Sequence, residues 1–190
     1  MKKKLLLPVL LFSVILFAQE KQNTYPQDTG KTQEIKIDAF SLIVFSSFDV
    51  TYERLVNKDS SYGVSLFYNF NTIDSDLYFP KKFSLTPFYR WFFTETRFAR
   101  GFFVEGFGML NTFEEEVYSF DSFETNGNFE TVKETDFAIG ISVGGKFIIK
   151  SGFVAEISIG VGRNIFGNTA DGFLENELVT RGGISLGYRF

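Results

Sequence analysis

A two-residue alternation of an unusual kind runs through most of this chain. Near its end, Ile184, Leu186, Tyr188 and Phe190 fall on one face of an extended strand, and Arg181, Gly183, Ser185, Gly187 and Arg189 fall on the other. Successive strand residues point to opposite faces, so a period of two separates the sets. Phe153, Ala155, Ile157, Ile159 and Val161 oppose Glu156, Ser158, Gly160 and Gly162 in the same way. Phe137, Ile139, Ile141, Val143 and Phe147 oppose Ala138, Gly140, Ser142, Gly144 and Lys146, and Phe83, Leu85, Tyr89, Trp91 and Phe93 oppose Ser84, Thr86 and Arg90. One face is large and apolar, and the other is small with scattered charges. No 3.6-residue apolar period competes with this pattern, so the chain is expected to be all-β.

Eight such segments are read: Ile35–Phe45, Phe48–Val56, Tyr62–Asn71, Lys82–Phe93, Gly101–Thr112, Thr135–Ile149, Gly152–Asn164 and Glu177–Phe190. Each is about as long as a tilted membrane-crossing strand. The connections alternate in length. Asn57–Ser61, Thr94–Arg100 and Lys150-Ser151 are short, whereas Thr72–Lys81, Phe113–Glu134 and Ile165–Asn176 are long. Short turns at one end and long loops at the other are the habit of an outer-membrane barrel. The tight Ser46-Ser47 link breaks that rhythm. Asn126-Gly127 favours a two-residue hairpin turn and is expected to cap a protruding hairpin of Glu114–Thr125 and Asn128–Glu134.

The apolar face requires a destination. A soluble barrel would bury it, and a membrane barrel would turn it toward lipid with the polar face inside. Gly and Ser dominate the polar face, which suits a narrow lumen better than a soluble surface. Aromatics make up 18% of the chain, with 26 Phe. Tyr89, Trp91, Phe93, Phe102, Phe103, Phe166, Tyr188 and Phe190 lie near segment ends, where interfacial girdles belong. The expected fold is therefore an eight-stranded antiparallel up-and-down transmembrane β-barrel. In lipid its sheet must close so that every backbone group is paired. The competing expectation is a soluble, periplasmic, lipocalin-like carrier with the apolar face inward around an apolar ligand.

The first residues support export. Met1 is followed by three lysines and then by the apolar stretch Leu5–Phe17, with Ala18 before a polar run. This reads as a signal peptide spanning 1–18, cleaved after Ala18. Its core is shorter than the ~20 residues of a membrane helix. Residues 19–34 are read as a flexible periplasmic lead-in and 35–190 as the barrel. The outer membrane of a Gram-negative bacterium is the expected location.

With these strands in view, the ending Gly187-Tyr188-Arg189-Phe190 resembles the carboxy-terminal insertion signal of bacterial outer-membrane barrels. There a terminal Phe, with an aromatic two residues earlier, is read by the barrel assembly machinery. Ser185 stands where such signals commonly carry Gly. The region 35–190 resembles small eight-stranded barrels of the OmpA/OmpX type. It is more closely similar to an uncharacterised family of Gram-negative outer-membrane barrel proteins in which stretches like Asp49–Arg54, and like Phe83–Phe93 followed by Gly101–Gly108, recur. The resemblance implies a fold and a location, with Tyr188 and Phe190 as the insertion signal. It implies no chemistry.

Composition narrows the chemistry further. The chain has no His and no Cys, which removes disulfides, thiol nucleophiles and His-based zinc sites or triads. A net charge of −4 argues against nucleic acid as partner. Alternation places Glu53, Arg90, Glu105, Lys146, Glu156, Arg181 and Arg189 inside. These form either an ion or small-ligand path or a salt-bridged filling of a lumen only wide enough for side chains. The facing of Glu105 stays open, because Phe102–Phe107 is apolar on both faces.

Glu114, Glu115, Glu116, Asp121, Glu124 and Glu130 make the longest loop acidic, with Phe113, Phe120, Phe123 and Phe129 between them. Their carboxylates suit Ca²⁺, Mg²⁺ or bridging to lipopolysaccharide phosphates, or simply solvate an exposed hairpin. Their spacing is not that of an EF-hand. Asp171 and Glu175 lie in a turn-rich stretch. No catalytic, cofactor-binding or metal-binding residue is assigned. The expected role is non-enzymatic: structural, or surface interaction through the outer loops. The expected partners are outer-membrane lipids, lipopolysaccharide, the assembly machinery and an extracellular protein or surface ligand.

Overall fold

In the computed structural model, which describes residues 30–44, 46–70, 81–94, 98–119, 128–166 and 178–190 and the side chains of these except 115–132, the alternating segments form eight strands. They are β1 (Gln33–Asp38), β2 (Ser47–Leu55), β3 (Ser60–Asn69), β4 (Lys81–Phe92), β5 (Gly101–Ser119), β6 (Asn128–Ile148), β7 (Phe153–Asn164) and β8 (Leu178–Arg189). Each pairs antiparallel with the next, and β1 pairs with β8, giving a closed up-and-down barrel. Closure is carried to the chain end, where the Gln33 and Phe190 backbones exchange hydrogen bonds of 3.1 and 2.8 Å.

The first connection differs from the reading of 35–45 as one strand. β1 starts at Gln33, ahead of the expected boundary, and stops at Asp38. A short helix, α1 (Ala39–Val44), follows. The Asp38 carboxylate accepts the Ser41 backbone N–H at 2.6 Å, an N-cap that ends the strand and starts the helix. Ser46 takes a positive φ of 47° at the helix exit. The link that read as Ser46-Ser47 is thus a longer, helix-bearing connection, and the alternation of connection lengths is restored. A six-residue helix offers too few turns for an apolar period to be visible in sequence.

The short turns are made by local chemistry. Asn57 Oδ1 accepts the Asp59 N–H at 2.8 Å and the Ser60 hydroxyl at 3.0 Å, tightening the β2–β3 turn. Gly152, with φ of 98°, closes the β6–β7 turn. At the opposite end, β5 and β6 remain paired as far as Ser119 and Asn128, so their hairpin runs past the other strands. The Asn126-Gly127 turn lies outside the described residues, as does most of Ile165–Asn176.

The faces follow the alternation, with one correction inside. Outward positions carry Ile139, Ile141, Val143, Ile157, Ile159 and Ile184, and inward ones carry Gly, Ser and charges. Strands β3–β5, however, also send large aromatics inward. Phe88, Phe107, Met109, Ala138 and Val179 form one buried apolar cluster, and Leu55, Phe92, Ala99 and Phe103 form another near the chain termini. Phe103, expected in a girdle, is fully buried in the lumen. The aromatics fit because the facing wall is bare. Phe88 pairs across the ladder with Gly63, Phe103 with Gly144 and Phe107 with Gly140. In each pair the ring occupies the space that a Cβ on the glycine would need. Aromatic cover over a bare strand glycine keeps the ladder packed.

Candidate functional site

The inward charges meet in one network below the middle of the barrel. Alternation carries Glu34 and Lys36 of β1, Glu53 of β2, Arg90 of β4, Glu105 of β5, Lys146 of β6, Glu156 of β7, and Arg181 and Arg189 of β8 into the lumen. Glu53 is its hub. One of its oxygens receives Lys36 Nζ at 2.6 Å and Arg90 Nη1 at 2.9 Å. The other receives Lys146 Nζ at 2.6 Å and the Ser61 hydroxyl at 2.6 Å. Four donors saturate the acceptor capacity of one carboxylate.

The neighbours complete the set. Glu156 Oε2 accepts from Lys36 at 2.6 Å and from Arg90 at 2.8 Å. Glu34 accepts from Lys146 at 2.8 Å and from Arg189 Nε at 2.8 Å. Glu105 lies between two guanidiniums, Arg90 Nε at 2.6 Å and Arg181 Nε at 2.9 Å. Arg189 also donates to the Phe98 and Ala99 carbonyls at 3.0 and 2.8 Å, fastening the β4–β5 turn to the lumen floor. Buried charges are tolerable only when paired and hydrogen-bonded, and every charge of this set is paired with an opposite one.

All seven residues singled out from sequence lie in the lumen, Glu105 included. The sequence reading missed Glu34 and Lys36. They sit where the lead-in was thought to end, yet the run Glu34-Ile35-Lys36-Ile37-Asp38 carries the same period of two. Asp49 and Lys81 line the loop-end half of the lumen and were also missed. Of the acidic loop, Glu114 is described. Its carboxylate takes Lys133 at 2.7 Å, and this pairing raises the pKa of the exposed Lys133 ammonium. The other acidic side chains, Asp171 and Glu175 included, lie outside the described residues. Among the described residues no group of three or more acidic side chains is arranged to hold a metal ion.

Every strand of this site up to the start of β8 falls within one family model. The model for a protein of unknown function, DUF3575, matches residues 9–177. The chain belongs to the DUF3575 family. No curated protein and no solved structure matches it. For this DUF3575 member the barrel and its lumen are therefore the material from which a function is argued.

Proposed function

We propose that this DUF3575 member is an outer-membrane barrel of the OmpA/OmpX type, non-enzymatic, exported by its N-terminal signal and acting at the surface through its long loops. The observation that carries the reading is the inversion of faces. Ile141 is 65% exposed and Ile159 73%, while Glu53 and Glu105 are fully buried. In water that arrangement would leave a contiguous wall of aliphatics exposed. In lipid both faces are satisfied.

The outward residues are also sorted by height. Along β3 they read Tyr62, Val64, Leu66 and Tyr68, and along β4 they read Phe83, Leu85, Pro87, Tyr89 and Trp91, with Phe93 just beyond. Aromatics at both ends with aliphatics between match a hydrocarbon band edged by two interfaces. A soluble carrier of an apolar ligand needs the opposite facing, so the arrangement favours the membrane reading. The ion-filled lumen favours a closed plug over an ion path, since each acidic group is already held by cations.

Fractionation of a Gram-negative host expressing the full chain tests the proposal. The protein is expected with the outer-membrane fraction, released by detergent and not by salt or alkali. Recovery in the soluble periplasm would overturn it.

A further inference from the structure

We infer that the outer wall of β1–β3, at the end carrying the short turns, binds the headgroup of an anionic phospholipid, its phosphate received by Arg54 and Tyr62. Arg54 is exposed and points outward, one residue before the end of β2. It is the one charge among the outward residues of β1, β2 and β3. It makes no ion pair and no side-chain hydrogen bond with any described residue, whereas each charge of the lumen is paired. Across the β2–β3 ladder it stands directly opposite Tyr62, whose hydroxyl also has no partner among the described residues. Opposed side chains on one face of a sheet have Cβ atoms about 5 Å apart, so the guanidinium and the phenol reach one ligand. A guanidinium fork matches two phosphate oxygens at once.

The surroundings select a lipid over free phosphate. Ile35, Val64 and Leu66 continue the wall from this point toward mid-barrel, exposed and apolar, and give acyl chains a surface to lie along. The rim selects for net negative charge. Lys31 Nζ sits 5.1 Å from the centre of the Tyr188 ring, and Lys58 and Lys150 are exposed in the β2–β3 and β6–β7 turns. Asp59, the one exposed acid described at this end, lies 3.7 Å from Lys58. Basic side chains at a membrane surface attract anionic headgroups. A headgroup whose phosphate is not balanced by an amine therefore fits this corner best. The inference rests on the membrane reading and names the lipid that one part of the wall selects.

Trp91, the chain's one tryptophan, is exposed on the outer face of β4, roughly 12 Å from Arg54 and within reach of a lipid seated there. The full chain would be folded into phosphatidylcholine vesicles carrying equal fractions of either brominated phosphatidylglycerol or brominated phosphatidylcholine, and the quenching of Trp91 compared. Wild type is expected to favour phosphatidylglycerol about fivefold, the worth of one basic residue at an anionic surface. Arg54→Gln should remove most of that preference, and Lys150→Gln, on the far side of the closed barrel, should keep it. Arg54 has no partner to lose, so Arg54→Gln should fold as wild type does, which gel mobility before and after boiling checks. Equal quenching by the two lipids in wild type, or an unchanged preference in Arg54→Gln, would overturn the proposal. So would loss of the preference on adding inorganic phosphate but not chloride at matched ionic strength, since the ligand would then be free phosphate. Quenching by neither brominated lipid would mean that the wall is not in lipid, and the membrane reading would fall together with the proposal.

Discussion

Phe107 stands directly across the β5–β6 ladder from Gly140, its ring over backbone that carries no side chain. The lumen is filled from one side: β3–β5 supply rings, and β6–β8 supply the absence of side chains that admits them. A Cβ at Gly140 would meet the Phe107 ring and also the Val161 carbonyl and the Gly162 Cα, neither of which can move aside. Gly140→Val is therefore expected to destabilise by about 1–3 kcal/mol, the range for overpacking. Phe107→Ala, which empties the same space, should cost about 3–5 kcal/mol. Urea unfolding of the barrel in lipid vesicles measures both, and a neutral Gly140→Val would refute the packing.

Glu53 joins three cations within 2.9 Å, which no other carboxylate among the described residues does. Glu53→Gln removes the charge while keeping the shape. A buried pair broken from one side costs about 3–5 kcal/mol, because the remaining charges stay buried. The same urea titration should show a loss of that order. A loss like that of a surface substitution would mean the network is hydrated.

Much of this was legible in the sequence. The period of two named most outward aliphatics of β4, β6, β7 and β8, Leu178 excepted, and seven of the inward charges, because a half-buried strand writes its facing into alternate residues. Three features were hidden, each for a physical reason. Helix α1 is held by one cap at Asp38, too local to produce a period. Phe88, Phe92, Phe103 and Phe107 look like outward residues by type, and only the pairing register shows that glycines make room for three of them. Glu34 and Lys36 belong to a six-residue strand, so too few alternations surround them to stand out from the polar lead-in.

Ile157 projects from the middle of β7, exposed, on the aliphatic band. If lipid covers that band, Ile157→Arg should cost about 2–4 kcal/mol in vesicles, and a position nearer either aromatic girdle should cost less. Equal tolerance of Arg along β7 would contradict the facing assigned to the band.

Phe190 contributes its backbone to the β1–β8 closure and its side chain to the outer face. Phe190→Ser keeps the backbone bonds, so folding of the purified chain in detergent should change little. Assembly in cells should fall if the terminal Phe is read as an insertion signal. Normal assembly of Phe190→Ser would discredit the signal and leave the fold intact.

Among the described residues nine interlocked charges and two apolar clusters cross the lumen, and eight strands enclose little more than their own side chains. Reconstituted in a planar bilayer, the barrel should give no steady steps of nanosiemens size. Such steps would mean the network opens.

The central claim is that the outward apolar band is solvated by lipid. The most direct measurement is to dilute the unfolded chain out of urea into phosphatidylcholine vesicles, and separately into buffer, and to compare gel mobility with and without boiling. Folding only in the presence of vesicles, with a band whose mobility shifts on heating, is the predicted result. A monomer that folds in buffer alone and shows no heat shift would contradict it.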